Sequence, residues 1–295
     1  MLIEVLSGSK SPLKPLVCLE VNPPRGVDCS VVLARLTGQL TGIDCLNVTD
    51  SALARMKSAA LPFAALLKQR LGVEPLVNVS CRDRNLIALQ ADLLAAWMHG
   101  VHSIVALTGD AVTVGDSPER KGVFEINSVG LLNAVKTLNS GQDLSGNFLT
   151  GAPNFVCGVV TNPNAKNIAA EVRRLAKKGE AGATYALTQP VFDETVARAF
   201  LTEARTTKVK ILLGLMPFKS YEAALALGQI PGIRMPQSVL DEVRALPAEK
   251  VADFSMQLCE RIFKSVGDLA LGVHVISGAS AKLGLELAQH LGRAI

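Results

Sequence analysis

Glu20 stands inside an apolar run, Leu16-Val17-Cys18-Leu19-Glu20-Val21, just ahead of an Asn22-Pro23-Pro24 turn. A carboxylate left unpaired in such a strand is destabilising unless it keeps its proton near neutral pH. It is therefore either the partner of Arg25 or Arg82 in an ion pair, or a general acid with a raised pKa. A second acid, Asp110, follows the strand-like run Ser103-Ile104-Val105-Ala106-Leu107 as Thr108-Gly109-Asp110. A carboxylate after glycine shapes a turn or faces a ligand. Other apolar runs also end on polar groups: Asn47, Thr49 and Asp50; Asn78, Ser80 and Arg82; Thr161 and Asn162; Thr188 and Gln189; Lys219. Thr49-Asp50-Ser51 reads equally as a helix cap. Glu171, Arg174, Lys177 and Lys178 fall on one predicted helix, where their spacing puts the first three on one face. That pattern suits a solvated surface or a basic seat for a pyrophosphate.

These tips need a frame that brings them together. The apolar runs predict strands at 16–21, 43–48, 76–79, 104–107, 155–160, 184–187, 209–213 and 273–276. Helical patterns follow at 29–40, 62–71, 83–98, 128–138, 164–178, 194–204, 221–227 and 282–290. Eight strand–helix cycles point to an α/β fold, a (β/α)8 TIM barrel forming a single domain over 1–295. Such barrels carry their chemistry at the C-terminal ends of the strands, so all the polar tips would share one mouth. A doubly wound sheet is the rival, but the chain has no G-x-G after its first strand or anywhere else. The Gly/Ser/Asn-rich stretch 139–154 reads as a helix-to-strand connection. The stretch 228–250, with three prolines, reads as irregular.

Composition narrows the class. The chain is 49% hydrophobic but only 4% aromatic, which suits strands buried on both faces under Ala-, Val- and Leu-rich helices. No apolar run approaches a membrane span of roughly 18 residues, so no membrane insertion is expected. A net charge of +4 without basic runs gives no footprint for nucleic acid. The six cysteines, Cys18, Cys29, Cys45, Cys81, Cys157 and Cys259, form no C-x-x-C pair and read as reduced, small apolar residues. His99 and His102 fit a solvated turn better than a metal site. No signal peptide is evident, and a cytoplasmic protein is expected.

The residues quoted above lie in motifs that resemble the methylenetetrahydrofolate reductase family: LEVNPPRG at 19–26, NVTDSALARM at 47–56, VSCRDRN at 79–85, ALTGD at 106–110, TNPNAKN at 161–167 and AGATYALTQPVFD at 181–193. The nearest flavour is the reductase module fused to homocysteine methyltransferase in some bacteria. The resemblance implies a flavin-dependent barrel in one-carbon metabolism and methionine biosynthesis, with FAD as cofactor and a folate as substrate. By the resemblance, Glu20 is the general acid, Asp110 lies by flavin and pterin, and Gln189 and Thr49 meet the folate. Thr49, Asn78, Thr108, Gly109, Asp110 and Asn127 would line the flavin. Asn162, Glu171, Arg174, Lys177 and Lys178 would surround the rest of FAD. The chain departs from well-known members in having Asn78 and Asn162 for His, Gly158 near a Tyr, Leu227 near a Phe, and no Arg around 279–282.

The implied reaction reduces 5,10-methylenetetrahydrofolate to 5-methyltetrahydrofolate, or runs the reverse, in a ping-pong scheme. Glu20 would supply the proton that opens the folate's five-membered ring, and Asp110 the negative charge facing the resulting iminium. Electrons would come from NADH, NADPH or a partner electron-transfer protein, within a homo- or hetero-oligomer. The alternatives are another FAD-dependent TIM-barrel oxidoreductase, similar to proline dehydrogenase, and a flavin subunit of a multi-protein reductase complex.

Overall fold

The computed structural model describes residues 2–278 and 280–294. A short helix, α1 (Leu2–Ser7), precedes eight strands: β1 (Leu16–Val21), β2 (Cys45–Val48), β3 (Glu74–Ser80), β4 (Ser103–Leu107), β5 (Val156–Thr161), β6 (Ala183–Pro190), β7 (Lys210–Leu215) and β8 (Gly272–Val275). Between and after them run α2 (Ser30–Leu36), α3 (Ala60–Leu71), α4 (Leu86–Met98), α5 (Ser128–Asn139), α6 (Ile168–Glu180), α7 (Glu194–Ala204), α8 (Tyr221–Leu227), α9 (Gln237–Ala245), α10 (Val251–Val266) and α11 (Ala281–Ala294). All strand pairs are parallel, and β8 returns to β1 to close the barrel. The expected (β/α)8 architecture is therefore the observed one.

The strands form because they are buried on both faces and rich in Val, Leu, Ile and Cys. One side of each packs on the surrounding helices. The other fills the barrel interior, where Leu16, Cys18, Cys45, Leu76, Val105, Val156, Tyr185, Leu187 and Leu212 pack together. Val5 and Leu6 of α1 join that cluster and plug the N-terminal end, an element the sequence reading missed. The helices after β3, β5, β6 and β7 start on side-chain caps, Asn85, Asn167, Asp193 and Ser220. These caps fix where each mouth loop turns into its helix.

Two helices correct the reading of 228–250 as irregular. Pro236 occupies the N-cap of α9 and Pro247 lies just beyond its end, so the prolines bracket a helix. The next helix, α10, was not assigned, although Val251, Ser255, Leu258, Cys259, Ile262, Phe263 and Val266 form its buried stripe. Residues 139–154 are the expected connection, pinned by a single antiparallel bridge from Gln142 to Phe148.

Candidate active site

A cavity of 460 Å³ opens at the C-terminal ends of the strands. Glu20, Asn78, Thr108, Gly109, Asp110, Lys178 and Gln189 all line it. A larger hollow of 670 Å³ lies outside, between α3 and α4, but no strand tips converge there and half of its lining is Ala and Leu.

Among the described residues Glu20 is in no ion pair. Arg25 pairs with Asp116 at 3.2 Å, and Arg82 grips Asp83 at 2.7 Å. Burial pushes the Glu20 carboxyl up to about 7, against the opposing pull of hydrogen bonds from the Ser277 and Gly278 backbone and from Asn22. The Asn22 amide is itself oriented, because Thr49 Oγ1 donates to Asn22 Oδ1 at 2.8 Å. Thr49 is buried and is not among the residues lining the cavity; it reaches the site through Asn22.

Asp110 sits at the exposed rim. Its Oδ2 accepts from the Leu53 amide at 2.7 Å. That loop is strained: Ser51, Leu53 and Ala54 have φ of 45°, 55° and 52°, which L-residues rarely adopt. Arg82 and Asp116 also hold it, through Ser51 O and the Met56 amide. Gly109, with φ +98°, makes the turn, and a Cβ there would strike Ser80 Oγ. Thr108 Oγ1 accepts from the Ser128 amide, joining the tip of β4 to α5. Asp50 is not a helix cap: its Oδ2 takes the Ser80 amide and Arg84, clamping β2 to β3.

Gln189 owes its position to an irregularity in β6. Thr188 Oγ1 takes the Gly214 amide at 2.7 Å, the register with β7 shifts between Leu187 and Pro190, and Gln189 lines the mouth. The α6 cluster divides differently from its spacing. Glu171 is buried and accepts from Thr161 Oγ1, the Asn162 amide and Arg174, so it clamps the tip of β5. Burial pushes the Glu171 carboxyl up, but those partners outweigh it and hold it below the usual carboxylate range. Lys178 reaches inward to Val160 O at 2.7 Å, and burial lowers its pKa. The Arg174 side chain is 63% exposed, and Lys177 faces solvent. Asn127 caps α5, accepting from the Val129 and Gly130 amides. Asn162 lies on a neighbouring cavity.

Asn47, expected at the mouth, lines it, and one further residue there, His274, was missed. Asn47, 1% exposed, donates to Asn78 Oδ1 at 2.8 Å, but its own Oδ1 has no partner among the described residues. His274 on β8, 5% exposed, leaves both ring nitrogens without partners among them. Burial pushes its pKa down to about 3. The signal was present: His274 interrupts Val273-His274-Val275-Ile276 as Glu20 interrupts its own strand. Leu227, the last residue of α8, is buried in the core rather than in the mouth, whose wall there is Ile230, Pro231 and Ile233. Gly158 gives its space to the Tyr185 ring, which a Cβ would strike. Of the positions around 279–282, Ala279 lies outside the described residues.

His274 yields a stability prediction. Folded, it stays neutral down to about pH 3, whereas an unfolded histidine takes a proton near 6.5. The unfolded chain then binds the extra proton, so stability should fall as pH drops below 6.5. His274→Leu removes that slope and two orphaned polar atoms, so it should gain stability over the parent at pH 5 by about 1–3 kcal/mol or more. Urea unfolding at pH 5 and 7.5 checks this; equal pH slopes in parent and variant would refute a neutral buried imidazole.

A closed parallel barrel with a protonatable acid, a rim carboxylate, an amide and an amine around one mouth defines a (β/α)8 enzyme. The family model for methylenetetrahydrofolate reductase matches residues 9–292, and the chain belongs to that family. It is 25% identical over 224 residues to the 5,10-methylenetetrahydrofolate reductase of Salmonella typhimurium, covering 75% of this chain and 70% of that protein. It is 21% identical over 222 residues to a probable NADPH-dependent methylenetetrahydrofolate reductase of Caenorhabditis elegans, covering 72% of this chain but only 32% of that protein. A Clostridium thermocellum protein solved with two copies of 5-methyl-5,6,7,8-tetrahydrofolic acid shares the fold over the full length of both chains, with a TM-score of 0.68 and 16% identity.

Proposed function

We propose that the chain, as one unit over 1–295, interconverts 5,10-methylenetetrahydrofolate and 5-methyltetrahydrofolate with FAD as cofactor. The observation that carries this reading is Glu20: a carboxyl with no ion-pair partner among the described residues, pushed up to about 7, in the mouth of a barrel of this family. A folate ligand is supported by the Clostridium thermocellum barrel.

The residues present fit a flavin. Asn78 has its amide nitrogen free of the Asn47 bond, His274 and Asn47 leave polar atoms unmatched beside the cavity, and Lys178 puts a cation at its wall. Asn78, Thr108, Gly109 and Lys178 would hold the ring system, and Arg174 the phosphates. Lys177 points to solvent and Glu171 is already engaged, so neither is given a direct contact. FAD, when bound, supplies the hydride. Glu20 does the proton work: protonated up to about pH 7, it donates to the nitrogen that leaves when the folate ring opens. Asn22 and Thr49 orient that acid. Asp110 presents negative charge at the rim, where the substrate's iminium carries positive charge. Gln189 offers an amide to the pterin. The electron donor, NADH, NADPH or a partner protein, takes its turn at the same mouth before the folate.

Purified protein is expected to be yellow, retaining FAD. Under anaerobic conditions, adding NADH, NADPH and methyltetrahydrofolate separately should bleach the flavin with the true donors. Colourless protein that takes up no added FAD sinks the flavin; a flavin left oxidised by methyltetrahydrofolate sinks the folate.

A further inference from the structure

Glu20 lines two cavities. One is the mouth; the other, of 50 Å³, lies behind β1, against α2 and the start of α11. That volume is enough for water, since one molecule needs about 10–15 Å³ and a few polar partners. The partners are in its wall. Asn22 and Ser277, which both bond the Glu20 carboxyl, line it, and Ser277 Oγ also donates to Glu20 O at 2.7 Å. Arg35 of α2 lines it as well. Arg35 is partly exposed, and among the described residues it is in no ion pair. Its guanidinium is therefore free to donate to water. The rest of the lining, Leu19, Val21, Val32, Leu36 and Ala281, is apolar. A polar thread thus runs from solvent, past Arg35, to the back of Glu20.

The reaction set out above gives that thread a use. Each folate reduced takes one proton from Glu20 and leaves a carboxylate, so bulk water must return one proton before the next cycle. A folate seated in the mouth closes that side to solvent. We propose that Glu20 regains its proton from behind, through water held in this cavity by Asn22, Ser277 and Arg35. The inference rests on the folate reading above. Nothing is oxidised or reduced in the step: an O–H bond of hydronium breaks, an O–H bond of the Glu20 carboxyl forms, and water passes the proton between them. Arg35 is a positioning residue here, holding water at the entrance.

Two substitutions close the thread in different ways. Ala281→Val fills the cavity with added methyl groups, and Arg35→Met keeps the length of the side chain but removes its donors. FAD-loaded protein, reduced with dithionite and holding 5-methyltetrahydrofolate, has no oxidised flavin to react with, so its mouth stays covered. It is mixed into heavy water near pH 6, where Glu20 keeps its proton. The infrared carboxyl band that Glu20→Gln removes then shifts as deuterium enters. In the parent the shift should be as fast with the folate bound as without it. Both variants should slow it by roughly tenfold or more with the folate bound, because a proton crosses a protein wall along hydrogen-bonded water. Without the folate they should match the parent through the open mouth. Their reoxidation by methylenetetrahydrofolate, which spends a proton already in place, should stay within about twofold. A parent whose exchange stops when the folate binds, or variants that exchange as fast as the parent beneath it, overturn the back route alone. Protein that binds no 5-methyltetrahydrofolate overturns the folate reading along with it.

Discussion

Glu20→Gln is expected to leave reduction of the flavin by the electron donor within about tenfold of the parent, while slowing reoxidation by methylenetetrahydrofolate by roughly 10²–10⁴-fold. Glutamine keeps the size and a hydrogen-bonding group for Asn22 and the Ser277 and Gly278 backbone, but it has no carboxylic proton to give. Only the folate half-reaction needs that proton. In the parent, reoxidation should slow as pH rises through about 7, where Glu20 loses its proton, and the variant should lose this limb. Stopped-flow traces of the two halves across pH provide the measurement. Equal slowing of both halves would make Glu20 a structural carboxylate.

Asp110→Asn should cost roughly 10²–10³-fold in the same folate half-reaction, the scale of a lost electrostatic contact in a preorganised site. The substitution isolates charge from architecture. An asparagine Oδ1 can still accept the Leu53 amide, so the strained loop at 51–54 keeps its anchor. Asp110→Ala removes both, and should add local disorder read as faster amide exchange at 51–56. If Asp110→Asn leaves the rate unchanged while Asp110→Ala does not, the carboxylate serves only to hold the loop.

The barrel was legible because burial on both faces leaves each strand a short apolar run, and the helices keep their 3.6-residue stripe. Helix α10 obeys the same rule, with its buried stripe following directly on the proline-bracketed α9. Glu20 was legible because a charge inside an apolar run has few explanations. His274 fits that logic too, but an imidazole inside an apolar run can also stay neutral, so it stands out less than a carboxylate. Spacing alone could not divide the α6 cluster. Whether a polar group on the helix faces the mouth or solvent depends on how α6 sits on β5, which the Glu171–Thr161 and Lys178–Val160 bonds settle. Thr49 shows the same limit, since a tip residue one layer behind the wall reads like one on it.

The distribution of cysteines makes the molecule its own reporter of opening. Cys18, Cys45, Cys81, Cys157 and Cys259 are buried free thiols, and Cys29 is only partly covered. The Cys45 thiol is raised well above its ordinary range by its hydrogen bond with Cys18 and by burial, and burial pushes Cys157 and Cys259 up to about 12. Since the thiolate is the reactive form, those three are shielded twice, by inaccessibility and by weak acidity. A thiol reagent should therefore label Cys29 first, then the other five together at the rate the barrel opens. Cys18 and Cys45, paired partners on β1 and β2 inside the closed barrel, would time the separation of its first two staves. That clock runs without cofactor or substrate.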